Sequence, residues 1–193
     1  KGDRQVIEVI DTGIEASHQA FSGSMDGVDV RLSQKDVEAL VSKLPHGKTG
    51  AYLNNKIPFV FDYADNDADV LPKSSKDLSH GTHVAAIAAA NAADLQGTAP
   101  HAQIIVAKVA ADKEGSIPDN TVLAALDDAV VIKPDSINLS LGEDAGMGTE
   151  AGTMYAEVYK NLAAAGVTVN AAAGNSYSSA YSNYSGKNKP YAS

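Results

Sequence analysis

Near the start of the chain stands VIEVIDTG (residues 6–13), a run of β-branched residues that ends in an acid, a hydroxyl residue and a glycine. Short apolar runs bounded by Asp, Asn, Gly or Pro are typical of buried β-strands. We therefore predict a strand over Val6–Ile10. Further runs of this kind predict strands at Ile57–Phe61, Gln103–Val109, Ser136–Ser140 and Val167–Ala171.

Longer segments with helical periodicity alternate with these strands. They predict helices at Gly81–Asn91, Asn120–Val131 and Glu150–Ala165. Such alternation is typical of βαβ units, so we predict an α/β fold of three layers, with a mostly parallel sheet between helices. Ligands of such sheets bind beyond the carboxyl ends of the strands, which makes the residues after each strand the candidate site.

Composition limits the class of protein. The chain has 193 residues, 44% of them hydrophobic, a net charge of −9 and no cysteine. This predicts one soluble globular domain or a large piece of one. It excludes a disulfide scaffold and thiolate zinc sites. The acidic balance argues against a nucleic-acid partner, which needs Lys and Arg. The apolar runs are shorter than the ~20 residues of a membrane span, so none is expected.

Two segments depart from the alternating pattern. Residues 26–79 are polar, contain three prolines and a cluster of aspartates, and are interpreted as insertion-rich, with a short helix at Asp36–Leu44 and one strand. Residues 176–193 are rich in Ser, Tyr, Asn and Lys and are interpreted as a loop or the start of an inserted region. The chain begins at Lys1 without Met, and we expect it to have been cut from something longer.

The first candidate for chemistry is Asp11, at the end of the first strand. A carboxylate in that place is buried, and its charge needs hydrogen bonds or a cation. Asp-Thr-Gly is also the signature of aspartic proteases, whose two acids share a proton, and it equally suits a plain strand-ending turn. An aspartic protease needs an all-β fold and a second Asp motif, which the Ala-rich helices oppose.

The second candidate is His80, which opens an Ala-rich helix directly after Ser79. Ser79 suits the N-cap, and Gly81 allows the helix to approach the sheet closely. His83 lies three residues on, so a metal pair is an alternative interpretation. The metalloprotease signature places its histidines four apart with a Glu between them, which is absent here. We expect one imidazole to face a cleft and the other to be packed.

Two further strands end in small residues. The first is followed by Ser140, Leu141 and Gly142, and the second by Ala172, Ala173, Gly174 and Asn175. Backbone exposed beside small side chains can pair with an extended peptide. The Asn175 amide can donate into the same cleft, although Gly-Asn alone is most often a turn.

Taken together and in this order, these motifs resemble those of the subtilisin-like serine proteases, or subtilases, from about Val6 to Asn175. The residues before the histidine, with KIPF (56–59) and DYADN (62–66), resemble the cell-envelope branch, which includes lactocepin and the C5a peptidases. The resemblance implies a polypeptide substrate and a protein that is extracellular or attached to the cell wall.

The resemblance also implies a role for each matching residue. Asp11 would orient His80 and stabilise its imidazolium, His80 would be general base and then general acid, and Asn175 would donate to the oxyanion. His83 matches a structural position. The substrate-binding positions would be Ser140, Leu141, Gly142, Ala172, Ala173 and Gly174.

The family's nucleophile lies in Gly-Thr-Ser-Met-Ala, and no Gly-Thr-Ser occurs in this sequence. The order Asp, His, Ser places it beyond residue 193. We therefore expect residues 1–193 to be the N-terminal part of a catalytic domain, incomplete at its C-terminus and inactive alone, whose partner is the remaining part that carries the serine. The alternative is a non-catalytic, subtilase-like domain that binds peptide.

No metal ligand is predicted. Many subtilases hold calcium in a loop after the histidine helix, but Ala92–Gly97 lacks the expected pattern, so calcium is compatible with the family without a recognisable site. The DNDAD run at 65–69 is similar to the start of an EF-hand loop but fails at Val70 and Lys76. We interpret it as a solvated acidic loop.

Overall fold

The computed structural model describes residues 1–73, 79–142 and 153–175. Its strands are β1 (Val6–Asp11), β2 (Phe59–Asp62), β3 (Asn91–Ala92), β4 (Leu95–Gln96), β5 (Gln103–Lys108), β6 (Ser136–Leu139) and β7 (Thr168–Ala171). Its helices are α1 (Gln34–Val41), α2 (His80–Ala89), α3 (Asp119–Ile132) and α4 (Met154–Ala164), with a 3₁₀ turn at Gln19–Phe21.

Five of the strands form one parallel sheet in the order β2-β5-β1-β6-β7. The carboxyl ends of these strands share one edge of the sheet. In the register there, Asp11 of β1 lies beside Lys108 of β5, and Lys108 lies beside Asp62 of β2. The end of β1 therefore has a charged residue beside it on the β5 side, whereas β6 on the other side ends at Leu139.

Helices cover both faces of the sheet. One core cluster joins the sheet to α3 and α4 and includes Phe59, Ile137, Leu126 and Leu162. The other lies under α2, whose Ala85 and Ala89 are fully buried against the sheet. The predicted three-layer α/β architecture is thus confirmed.

Some element ends differ from the sequence-based predictions, for local reasons. Helix α1 begins at Gln34 because Ser33 and Asp36 form a reciprocal capping box. Strand β2 begins after Pro58, which has no N–H to donate. Helix α2 ends at Ala89. It is followed by a hairpin of two short strands, β3 and β4, which the sequence did not predict. Part of the predicted helix at 150–165 lies outside the described residues.

The insertion-rich segment contributes β2 to the sheet, and a buried side chain of β5 ties further parts of the segment to it. Gln103 accepts from the N–H groups of Arg31 and Leu32, at 3.0 and 2.8 Å, and donates to the carbonyls of Leu32 and Asn55.

In the part of the chain that is described, no helix has the length and apolarity that a membrane crossing requires.

Candidate active site

The end of β1 and the start of α2 bring an acid and an imidazole together. His80 Nδ1 lies 2.7 Å from Asp11 Oδ1. The carboxylate is 1% exposed, whereas the imidazole is 42% exposed. Because a carboxylate only accepts, the contact places the proton on Nδ1 and leaves Nε2 as the basic nitrogen. A buried acid therefore orients a base that solvent can reach.

Thr12 completes the surroundings of the acid. Its backbone N–H and its hydroxyl both donate to Asp11 Oδ1, at 2.7 and 3.2 Å. The other oxygen, Oδ2, is buried and accepts no hydrogen bond from the described residues. With the His80 ring, these two donors place three hydrogen-bond contacts on Oδ1 and fix the orientation of the carboxyl group. The sequence did not lead us to predict Thr12 as a donor to the acid, although a hydroxyl residue directly after the acid is a signal for that role.

The close approach of α2 depends on Gly81. A Cβ atom at this position would lie 2.1 Å from the Gly13 carbonyl oxygen and 3.1 Å from Asp11 Oδ1. Gly13 itself has φ +111°, a conformation that favours glycine. Thr82 adds a tie between the elements, since its hydroxyl accepts from Glu15 N–H at 2.9 Å. The prediction that Gly81 lets the helix pack closely is confirmed.

A buried lysine lies one strand away from the acid. Lys108 is 1% exposed, and its ammonium donates to Asp62 Oδ2, at 2.5 Å, and to Asp112. Burial works against the ammonium, but these hydrogen bonds outweigh it and raise the pKa of Lys108. Lys73 extends the network at the surface to Asp112 and Asp69, at 2.6 and 3.0 Å.

This network bears on metal binding. Asp62, Asp65 and Asp112 offer carboxylate oxygens close enough together for one ion. The ammonium of Lys108 already bonds two of the three, so the cluster does not fit a metal. At the hairpin after α2, the Gln96 side-chain amide donates to the Ala92 carbonyl at 2.5 Å.

The predicted substrate-binding residues lie side by side at the carboxyl edge of the sheet. Ser140 and Leu141 are half-buried directly after β6, and Gly142 is exposed. After β7, Ala172 is half-buried and Ala173 is exposed. A hydrogen bond of 2.9 Å from Ala172 N–H to the Leu139 carbonyl joins the two strand ends.

The last two predicted site residues, Gly174 and Asn175, follow Ala173 at the carboxyl edge of the sheet. Gly174 has φ +86°, which favours glycine there, and Asn175 is exposed. Asn175 therefore lies four residues beyond β7, at the edge of the sheet that also carries Asp11.

One expectation about the histidine helix was wrong. His83 is exposed in the described structure, so the second imidazole is not packed. Ser79 occupies the N-cap position as predicted, but its hydroxyl accepts no capping hydrogen bond from the described residues. Its carbonyl instead accepts from His83 N–H at 2.9 Å.

Comparison with known proteins matches this arrangement to one family. The family model described as the subtilase family covers residues 2–191. The chain belongs to the subtilase family. The predicted resemblance is thereby confirmed.

Relatives of this subtilase are bacterial proteinases. The PI-type proteinase of Lactococcus lactis subsp. cremoris is 37% identical over 199 residues, which cover 99% of this chain and 10% of that protein. The C5a peptidase of Streptococcus pyogenes serotype M18 is 30% identical over 154 residues, 75% of this chain and 13% of that protein. The chain thus spans about a tenth of the length of the relatives it matches.

A solved structure shares the fold. The protease domain of PatA, in a serine-to-alanine mutant, superposes with a TM-score of 0.60 at 21% identity. The match covers 91% of this subtilase chain and 52% of the PatA domain.

Proposed function

We propose that this subtilase chain is part of a serine endopeptidase that hydrolyses peptide bonds in proteins, with Asp11 and His80 as two members of an Asp-His-Ser triad. The observation that carries the proposal is the 2.7 Å contact between His80 Nδ1 and Asp11 Oδ1, at the edge of the sheet where such folds bind ligands. A buried acid and an accessible base in hydrogen-bond contact are the orienting pair of nucleophilic catalysis.

In this proposal each residue has one task. His80 Nε2 takes the proton of the attacking hydroxyl and returns it to the leaving amine, while Asp11 holds the ring and stabilises the imidazolium. The Asn175 amide donates to the oxyanion of the tetrahedral intermediate. The strand ends at 140–142 and 172–174 bind the substrate backbone, as their small side chains permit.

We further propose that polypeptide outside residues 1–193 supplies the nucleophile, since this chain contains no Gly-Thr-Ser. Two surfaces support this. Among the strands of the described residues, β7 is at the edge of the sheet, with Thr168, Asn170 and Ala171 exposed. On α2, Ile87 is 60% exposed beside His83, although the helix is otherwise rich in buried alanine. An open strand edge and an exposed apolar residue favour a further covering segment. Residues 1–193 would then be the first part of the catalytic domain.

Labelling with a fluorophosphonate tests the nucleophile. The 193-residue chain alone should remain unlabelled and hydrolyse casein no faster than background. The full-length protein should be labelled at one serine outside this chain. Labelling of a serine within residues 1–193 would contradict the proposal.

A His80→Ala variant of the full-length protein tests the base. We expect loss of turnover with an unchanged circular dichroism spectrum, because the half-exposed ring contributes little to the core. A His83→Ala variant is the matched control on the same helix and should retain activity. Wild-type turnover in His80→Ala would remove His80 from the mechanism.

The second candidate function is a non-catalytic domain that binds extended peptide, which the lack of a Gly-Thr-Ser block in this chain favours. Full-length protein that binds casein fragments without cutting them, and that resists the fluorophosphonate, would identify this function.

We also propose that the protein acts outside the cell or attached to the cell wall. The resemblance of residues 56–66 to the cell-envelope branch supports this location. Brief trypsin treatment of intact cells should release peptides of this chain; their absence, with an accessible surface protein as positive control, would oppose it.

A further inference from the structure

A glutamate lies inside the strand that carries the candidate catalytic acid. Glu8 is in the middle of β1, and its side chain faces the core between the sheet and α3. It is 0% exposed, and both carboxyl oxygens are buried without a hydrogen-bond partner among the described residues. A carboxyl group in that state loses the water that would stabilise its charge and gains nothing in return.

A second buried acid lies on the facing helix and, unlike Glu8, accepts several hydrogen bonds. Asp128 of α3 is also 0% exposed. Its Oδ1 accepts from His46 N–H at 2.9 Å, and its Oδ2 accepts from Gly47 N–H at 2.6 Å and from the Tyr63 hydroxyl at 2.9 Å. Asp128 therefore fastens two parts of the insertion-rich segment to α3.

The two buried acids differ in their hydrogen-bond donors. Three donors point at Asp128, whereas none of the described residues donates to Glu8, so burial is left uncompensated at Glu8. Burial, and then the charge of Asp128, raise the pKa of Glu8 well above its usual range. Burial and both carboxyl groups likewise raise the pKa of Tyr63, which stays a donor. At the surface, His46 Nε2 pairs with Asp127 at 3.1 Å, and its ring is 45% exposed.

We propose that Glu8 and Asp128 form a proton-dependent latch, in which a neutral Glu8 allows Asp128 to hold residues 44–50 and Tyr63 against α3. If Glu8 loses its proton in place, two negative charges share one apolar site, so ionisation instead accompanies opening of the latch. Opening lets water reach Glu8, and the segment at His46 and Gly47 separates from α3.

The sign of the pH dependence follows. In the open latch Glu8 ionises near its ordinary pKa of 4.5, whereas the closed latch keeps the proton. Opening above pH ~4.5 therefore releases one proton. The opening constant should rise up to tenfold per pH unit, until pH reaches the raised pKa of the closed latch. The latch is tightest below pH ~4.5 and loosens as the pH rises.

Amide hydrogen exchange measures the opening directly. In the full 193-residue chain, we would follow the N–H groups of His46 and Gly47 by NMR between pH 5 and pH 8 and express exchange as protection factors. The wild type should lose up to tenfold of protection per pH unit. Glu8→Gln should remove this dependence. Gly23 N–H, which donates to the neutral Asn91 amide at 3.2 Å, serves as the reference and should not change.

The side chain of His46 pairs with Asp127 and follows directly on the backbone donor, so it needs a control. His46→Ala keeps the backbone donor and removes the imidazole, and the pH dependence should persist. A wild type with constant protection, or a Glu8→Gln variant that follows the wild type, would overturn the latch. So would a dependence that disappears in His46→Ala.

A measurement without any Glu8 variant covers the case in which Glu8→Gln fails to fold. The ¹³C shift of the Glu8 carboxyl carbon should report a neutral acid at pH 7. An ionised carboxylate at pH 7 would contradict the proposal.

Discussion

Removing the ammonium of Lys108 should be the most damaging single change near the candidate site. Lys108→Met keeps the length and the apolar stem but leaves Asp62, which is 0% exposed, without its cation. Breaking one side of a buried ion pair costs about 3–5 kcal/mol, because the remaining charge stays desolvated. Asp62 Oδ1 still accepts from Ala64 and Asp65 N–H, at 2.8 and 3.0 Å, so we expect about 3 kcal/mol.

Urea unfolding of the 193-residue chain, followed by circular dichroism, provides the measurement. With a slope of about 2 kcal/mol/M, a loss of ~3 kcal/mol lowers the midpoint by about 1.5 M. Lys73→Met is the matched control, because Lys73 belongs to the same network but is 41% exposed. It should cost at most ~1 kcal/mol, as is usual for surface ion pairs.

The pH dependence of the variant provides a second check. Without Lys108, burial is left to raise the pKa of Asp62 unopposed by an ammonium. The variant should therefore recover stability as the pH falls, by up to ~1.4 kcal/mol per unit for this one group. The double variant Lys108→Met/Asp62→Leu should recover most of the loss at pH 7. A loss no larger than that of Lys73→Met, or no recovery in the double variant, would refute the reasoning.

Three further changes test the site. Gly81→Ala should displace the start of α2 by about 1 Å and lower the free energy of unfolding by ~1–3 kcal/mol. Because His80 then moves away from Asp11, turnover of the full-length protein should fall by about 10²-fold. Unchanged kinetics would contradict this. Asn175→Ala should lower kcat by about 10²–10³ with KM little changed, which is the loss typical of removing one oxyanion donor from subtilisin; an effect on KM alone would assign Asn175 to substrate binding. Asp11→Asn should lower kcat by about 10⁴ while the fold is retained, because the imidazole then adopts the other tautomer, and a fluorogenic peptide assay measures it.

The fold could be predicted because its signals are local. Short β-branched runs alternating with Ala-rich helices identify the parallel sheet, and all five predicted strands are present, with ends shifted by two residues or fewer. Asp11 and His80 could also be identified as candidates from the sequence, because each stands at the end of an element, where a parallel sheet binds its ligands. The hairpin of β3 and β4 was missed because two-residue strands carry too little pattern.

Apart from Asp11, the charged residues inside the fold could not be predicted. Within VIEVIDTG, Glu8 stands in the position of a core residue, and only the structure shows it to be fully buried. Likewise, Asp128 belongs to a helix whose polar residues are normally solvated. Its partners His46 and Gly47 are 82 and 81 residues away, and no sequence spacing connects them.

By itself, the sequence determined the three-layer fold and the family and indicated the acid and the base that we propose as catalytic, because these depend on periodicity and on motifs at strand ends. Only the tertiary structure decided which charges are paired. It placed Lys108 between Asp62 and Asp112, gave Asp128 its three donors and left Glu8 without a donor from the described part of the chain. The physical reason is that the energy of a buried charge depends on the few groups within hydrogen-bond distance, and chain folding brings those groups from distant parts of the sequence.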